Sequence, residues 1–252
     1  MRRVYRHESN VDYWDRRWAA EPDLDGFTDL SVYPIRYAEQ VVGPGDRILE
    51  IGCGPGRVLK HYAARGHDVV GVERSEIAVK RLVEEGYDAT VGDVLDLPYP
   101  TGRFDVALAF GVYHNLPDRH AAALAETARI LRPGGRFCVS VRPDNIEMRA
   151  NEVYWRWRNR APRDQFHKIL FGESEFAGML ADAGLVVEQT WRATNVSLLW
   201  RVPWLRTRDG GEADRRAAGY RLNRAGRTVH RALRTVAPYQ TANVIVYAGR
   251  RH

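Results

Sequence analysis

Only two of the 252 residues are cysteine, Cys53 in a glycine-rich turn and Cys138 in an apolar run, and neither has a neighbour at metal-ligand spacing. A disulfide scaffold and a cysteine-built zinc site are therefore excluded, and both thiols read as small buried residues of a reduced compartment. Apolar residues make up 44% of the chain but fall in short runs. None approaches the roughly 18 residues that span a bilayer. The start, MRRVYRHESNVDYW, is positively charged with no apolar stretch behind it, which is not a secretory signal, so the expected location is cytoplasmic. Lysine is absent and acid scarce in the last quarter: residues 192–252 hold thirteen arginines against Asp209, Glu212 and Asp214, a net +10. The preceding 191 residues carry −4 of the total +6. Such a tail suits an anionic partner, whether nucleic acid, membrane headgroups or a phosphorylated or carboxylated small molecule, and equally a well solvated basic surface.

From Asp46 onward, short β-type runs alternate with helical stretches, the pattern of a parallel sheet flanked by helices. Arg47–Ile51, Val69–Glu73, Ala89–Val91, Phe104–Phe110 and Gly135–Val141 read as five strands, with helices at about 57–65, 76–85 and 118–131 between them. Arg132-Pro133-Gly134-Gly135 ends the last of these helices and turns the chain into the next strand. A helix over 174–183 leads to a sixth strand at 185–191, and 243–249 is a seventh. One domain is expected: a helical, aromatic-bearing cap (1–44), a core (45–142 and 173–191), an insertion (143–172), a basic lid (192–242) and the last strand (243–252).

After the first of these strands comes Glu50-Ile51-Gly52-Cys53-Gly54-Pro55-Gly56-Arg57, opening into a helix. Glycines here let the backbone turn sharply and let a ligand approach main-chain N–H groups at the helix start. Twenty-one residues after Gly52, Glu73 closes the second strand, where a carboxylate accepts hydrogen bonds from both hydroxyls of a ribose. A dinucleotide-binding oxidoreductase would need glycine at position 57, where this chain has Arg. The G-x-G-x-G spacing resembles instead the S-adenosylmethionine (SAM) loop of class I methyltransferases. The similarity continues through Gly92-Asp93-Val94, Phe104-Asp105-Val106 and LRPGG at 131–135, and covers roughly residues 46–190 plus the last strand. It implies a Rossmann-like seven-stranded, mostly parallel sheet with an antiparallel last strand. It also implies SAM as cofactor, S-adenosylhomocysteine as its product, and a methyltransferase activity.

Carried over residue by residue, the resemblance implies that Glu50 and Gly52 line the methionine end, with Cys53, Gly54 and Gly56 completing the loop. Glu73, with Arg74 beside it, holds the ribose; Asp93 and Val94 bracket adenine; and Phe110 closes over the cofactor. The pieces ARGHDVVGVERSE (64–76) and YWDRRW (13–18) are similar to thiopurine and thiol methyltransferases, which would set Trp14 or Trp18 over the sulfonium.

Methyl transfer needs an aligned nucleophile and, where that nucleophile is protonated, a base. His114 is the candidate base, with Tyr113 beside it, because both follow a strand at the carboxyl edge of the sheet. Asp144-Asn145 after the fifth strand is faintly similar to metal-dependent catechol-type enzymes, but Phe110-Gly111 takes the place of the matching acid, so no metal is expected. The preferred acceptor is a small or lipid-like molecule, methylated on O, N or S and walled by Trp155, Trp157, Trp200 and Trp204. RNA is the alternative, suited by the basic tail and its aromatics. A third reading makes residues 196–206, VSLLWRVPWLR, an interfacial anchor for weak contact with a membrane surface, although Pro203 breaks the helix such an anchor needs. Oligomeric state has no signal in the sequence.

Overall fold

A computed structural model describes residues 1–20, 33–158, 162–194, 199, 202–207 and 222–252. The chain begins with β1 (Arg2–Arg6), α1 (Asn10–Ala20) and α2 (Ile35–Ala38). Next come β2 (Arg47–Ile51), α3 (Arg57–Ala63), β3 (Asp68–Glu73), α4 (Glu76–Glu84), β4 (Ala89–Val91), β5 (Phe104–Phe110), α5 (His120–Ile130) and β6 (Leu131–Val141). It closes with α6 (Ile146–Arg158), β7 (Gln165–Leu170), α7 (Glu173–Asp182), β8 (Leu185–Thr194), α8 (Arg224–Val236) and β9 (Ala242–Arg251).

Seven strands form one sheet in the order β4-β3-β2-β5-β6-β9-β8, parallel except for β9, which runs antiparallel to both of its neighbours. Alternation along each strand divides the core between the two faces. Leu49 and Ile51 of β2 join Val70, Val72, Ala107 and Ala109 under α5 and α7. Ile48 joins Val69, Val106 and Leu108 with α2, α3 and α4. The run RILEI is buried at four of its five positions, as expected of a central parallel strand covered on both sides. In α4 the buried Ala78, Val79 and Leu82 form the apolar stripe that packs on the sheet. From β2 the chain crosses to β3 on one side, while β5 pairs on the other. The carboxyl ends of β2 and β5 therefore flank the point where an open α/β sheet leaves a crevice.

Two expectations need correction. The first residues are not helical: RRVYR is a strand, β1, paired antiparallel with β7 from Arg2 opposite Leu170 to Arg6 opposite Gln165. Its buried Val4 packs on Met148 and Leu170, and that contact holds the ribbon against the domain. The segment Arg132–Gly135 does not separate helix from strand. α5 ends at Ile130, β6 starts at Leu131 opposite Phe104, and the glycines sit in an irregularity before regular pairing resumes at Arg136. Any side chain at Gly135 would meet the Arg132 carbonyl oxygen at 2.8 Å. Of the expected lid, residues 195–198, 200–201 and 208–221 lie outside the described residues. Leu199 and Leu205 pack with Leu222 and with Val229 and Leu233 of α8, while Trp204 is exposed. Among the described residues no helix is long and apolar enough to cross a membrane.

Candidate functional site

The loop between β2 and α3 is pinned by N–H groups of Gly52 and Cys53 donating to the Val72 carbonyl, at 2.7 and 3.1 Å. Gly52, Gly54 and Gly56 all have positive φ, at 67°, 52° and 83°. Close packing reinforces the choice of residue: a Cβ on Gly52 would lie 2.5 Å from Val112 Cγ2, and one on Gly54 would lie 2.9 Å from Trp18 Cζ2. Trp18 thus rests directly on the glycine loop. Trp14 stacks on it at 5.0 Å, with the Arg17 guanidinium 5.7 Å from each ring. Arg81 of α4 holds the end of α1 by donating to the Trp18 and Ala19 carbonyls.

Between this aromatic helix and the sheet edge lies a cavity of about 460 Å³. Trp14, Glu50, Gly52, Cys53, Gly54, Glu73, Arg74, Asp93, Val94, Phe110 and His114 line it, which places eleven residues singled out from the sequence around one space. Two others are not there. Gly56 starts α3 and packs on Leu82, where its missing Cβ avoids a 2.5 Å clash. Tyr113 is fully buried in the core with its hydroxyl 2.8 Å from Thr127 Oγ1, and burial raises its pKa, so it is withdrawn as a catalytic group. Trp155, Trp157 and Trp204 do not form the expected wall either; they are exposed elsewhere, and Trp200 lies outside the described residues. The apolar wall is Trp14, Trp18, Tyr33, Phe110 and Val112 instead.

Carboxylates gather at the β2–β4 side. Glu73 accepts from the N–H groups of Gly54, Arg74 and Ser75 at 2.9–3.0 Å, so it ties the glycine loop to the start of α4 while still facing the cavity. Asp93 accepts from Leu95 N–H at 2.9 Å and is exposed. Glu50 is buried, accepts from Leu59 N–H at 2.8 Å, and is pushed up to about 8 by burial, with Leu59 and Arg57 pulling the other way. Cys53 packs its sulfur against Gly71, and burial raises its thiol.

The opposite side, at the ends of β5 and β6 and along β7, is basic. His114, Arg142, His167 and Lys168 line it. Burial, with the charges of Arg142 and Lys168, holds His114 well below the usual imidazole range, so the ring is neutral at pH 7. His167 is lowered to about 4 for the same reasons, and its ring meets Tyr13 edge-on at 5.4 Å. Arg142 had a readable signal, since it directly follows a strand at the carboxyl edge; His167 and Lys168 had none, because only the β1–β7 ribbon brings them here. Asp144 pairs with Arg149 at 2.8 Å, and Asn145 donates to the Tyr239 and Ala242 carbonyls, so both are engaged away from the cavity.

A family model described as a methyltransferase domain matches residues 29–190. The chain is a class I SAM-dependent methyltransferase. It is 31% identical over 225 residues to the 27-O-demethylrifamycin SV methyltransferase of Amycolatopsis mediterranei, covering 82% of this chain and 75% of that protein. It is 33% identical over 166 residues to a human protein named probable tRNA methyltransferase 9B, covering 63% of this chain but only 35% of the relative. In fold it is similar to a SAM-dependent methyltransferase from Archaeoglobus fulgidus, with TM-score 0.62, 12% identity, and coverage of 95% of this chain and 99% of that one. The cofactor is SAM. The polarity of the cavity is compatible with a cofactor carrying a sulfonium and an ammonium, since Glu73 and Asp93 line the end beside the tight glycine loop.

Proposed function

We propose that this methyltransferase transfers a methyl group to an O, N or S atom of a small molecule enclosed in the cavity. Glu73 would hold the ribose hydroxyls, Asp93 and Val94 the adenine, and Glu50 and Gly52 the methionine end, with Trp14 and Trp18 facing the positive sulfonium. SAM supplies an electrophilic methyl carbon. The chain's own part is to align the acceptor, exclude water and receive a proton where one is released. Neutral His114 suits the first of these, as a hydrogen-bond acceptor, better than the last, as a base, because the cations around it disfavour the imidazolium.

The observation that carries the reading is the roof. α1 lies on the glycine loop through Trp18 and Gly54, and β7 walls the other end with His167 and Lys168. The space of about 460 Å³ between them falls in the range of small-ligand sites, roughly 300–1,000 Å³. The Amycolatopsis relative, whose name specifies a small-molecule acceptor, supports the same class. We read the whole chain as one domain acting in the cytoplasm.

RNA is the second reading. Arg224, Arg227, Arg231 and Arg234 recur at helical spacing and are all exposed along α8, a stripe suited to phosphates, and the human relative is named for tRNA. One experiment separates the two: incubate the protein with methyl-labelled SAM and cell extract, then count organic-soluble, aqueous small-molecule, RNA and protein fractions against a Glu73→Ala control. Label in a small-molecule fraction supports the first reading, and label in RNA replaces it with the second.

A further inference from the structure

Glu50, Glu73 and Asp93 reach the cavity from β2, β3 and the turn after β4, whereas Arg142, His167 and Lys168 reach it from the end of β6 and from β7. Arg142 is partly buried, and its guanidinium donates to the Asn243 carbonyl at 3.1 Å. Among the described residues it makes no ion pair; the groups that favour its charge are the phenols of Tyr33 and Tyr13. One carbonyl satisfies one of five N–H donors, and a neutral partner leaves the buried charge uncompensated.

Lys168 does not relieve this imbalance. Its partner is the buried Glu152, at 3.0 Å, but Glu152 also pairs with Arg6 at 3.1 Å, so a single carboxylate serves two cations. With Arg142 included, the described residues at this end carry an excess of two positive charges: Arg6, Lys168 and Arg142 against Glu152. Beside it, His114 Nδ1 is buried with no hydrogen-bond partner among the described residues, in a side chain only 7% exposed. Asp15 of α1, the remaining acid of the lining, is not among the groups acting on Arg142. A partly buried cation without a counter-charge, next to an orphaned polar nitrogen, is costly unless something else completes the set.

We infer that the β6–β7 end of the cavity is a built oxyanion site for the acceptor, with Arg142 as its principal ligand and Lys168 as its second. The acceptor then carries a carboxylate or a phosphate, and that group orients it across the cavity from the carboxylate-lined half. The inference rests on the placement of SAM at the β2–β4 end. The rival occupant is the cofactor's own carboxylate.

The test uses the full chain, titrated by calorimetry with benzoate, its neutral isostere benzamide, and phenyl phosphate, each with and without saturating S-adenosylhomocysteine. Benzoate or phenyl phosphate should bind at least about ten-fold more tightly than benzamide, and Arg142→Gln should erase that preference while changing S-adenosylhomocysteine affinity by less than about two-fold. Arg142→Lys, which keeps the charge, should retain part of the preference, and the wild-type comparison itself needs no variant that must fold. Whichever anion binds better identifies the carboxylate or phosphate source. Equal binding of benzoate, phenyl phosphate and benzamide, or no binding of either anion at millimolar concentration, would overturn the inference. So would a ten-fold or greater loss of S-adenosylhomocysteine affinity in Arg142→Gln, which would assign the guanidinium to the cofactor. An anion preference in a protein that does not bind S-adenosylhomocysteine would instead sink the cofactor placement and leave the oxyanion site standing.

Discussion

Removing the Glu73 carboxylate should separate its structural work from its binding work. In the protein it accepts three backbone N–H groups, from Gly54, Arg74 and Ser75, at 3.0, 2.9 and 3.0 Å. A carboxylate has about four acceptor positions, so one, on the oxygen that accepts only from Gly54, remains for a ribose hydroxyl. Hydrogen bonds to a charged group contribute about 1.5–3 kcal/mol when buried, but Glu73 is only half-buried and water replaces part of each loss. Glu73→Ala should therefore cost about 1–2 kcal/mol of stability, a fall in Tm on the order of 5 °C for a domain of this size. Losing that ribose contact, a hydrogen bond to a charged group, should weaken S-adenosylhomocysteine by about 2 kcal/mol, roughly 30-fold in Kd. Glu73→Gln, which keeps an acceptor oxygen without the charge, should fall between wild type and Ala in both measurements. Calorimetry at neutral pH reads the affinity, and a thermal melt on the same sample reads the fold. A folded Glu73→Ala protein that binds S-adenosylhomocysteine as tightly as wild type would show that the ribose lies elsewhere.

Other perturbations follow from the same geometry. Gly54→Ala adds a Cβ 2.9 Å from Trp18 Cζ2 at φ 52°, so tryptophan fluorescence should change and S-adenosylhomocysteine affinity should drop about ten-fold; adding Trp18→Ala should make the two effects non-additive in a double-mutant cycle. An additive cycle would mean that Trp18 does not rest on the loop in solution. Burial raises Glu50 from 4.5 to about 8, so in the ligand-free protein the unfolded chain releases this proton first, and the contribution of Glu50 to stability is lost as pH rises through that interval. Glu50→Gln, still able to accept from Leu59 N–H, should therefore flatten this part of the stability profile and be more stable than wild type at pH 8; parallel profiles from urea melts would refute the assignment. His114→Gln should lower kcat by less than about ten-fold, because a weak, cation-flanked base contributes little; a loss in the range of 10²–10⁴-fold would restore His114 as general base.

What could be read in advance was what sequence neighbours determine. Arg47–Ile51 and Phe104–Phe110 are strands at those boundaries because continuous apolar runs between turn residues have few other stable placements. The glycine loop, Glu73 and Asp93 meet at one cavity because three consecutive strand ends deliver them there. Tyr113 was legible as a position but not as an orientation: the short helical turn at Tyr113–Asn115 sends its ring inward to Thr127 of α5 and sends His114 to the cavity, which only tertiary packing decides. β1 was hidden because RRVYR buries a single residue, Val4, and its partner strand lies beyond position 160. With it went His167 and Lys168, since a strand added from the far end of the domain leaves no periodic trace near the residues it positions.

The same contrast explains how the site divides its labour. The half built from local sequence, with its glycines and strand-end carboxylates, is the half that a cofactor shared by many enzymes requires. On the proposed placement of SAM, the half built from long-range pairing, the β1–β7 ribbon and the residue after β6, would be where the acceptor is distinguished. Its chemistry also bears on the need for a base. Arg142 and Lys168 disfavour a protonated His114, and the positive potential that weakens an imidazole as a proton acceptor stabilises an acceptor that is already anionic. An acceptor held by its own negative charge would reach the sulfonium end oriented by that charge, and positioning would then supply most of the acceleration that proton transfer supplies in other enzymes.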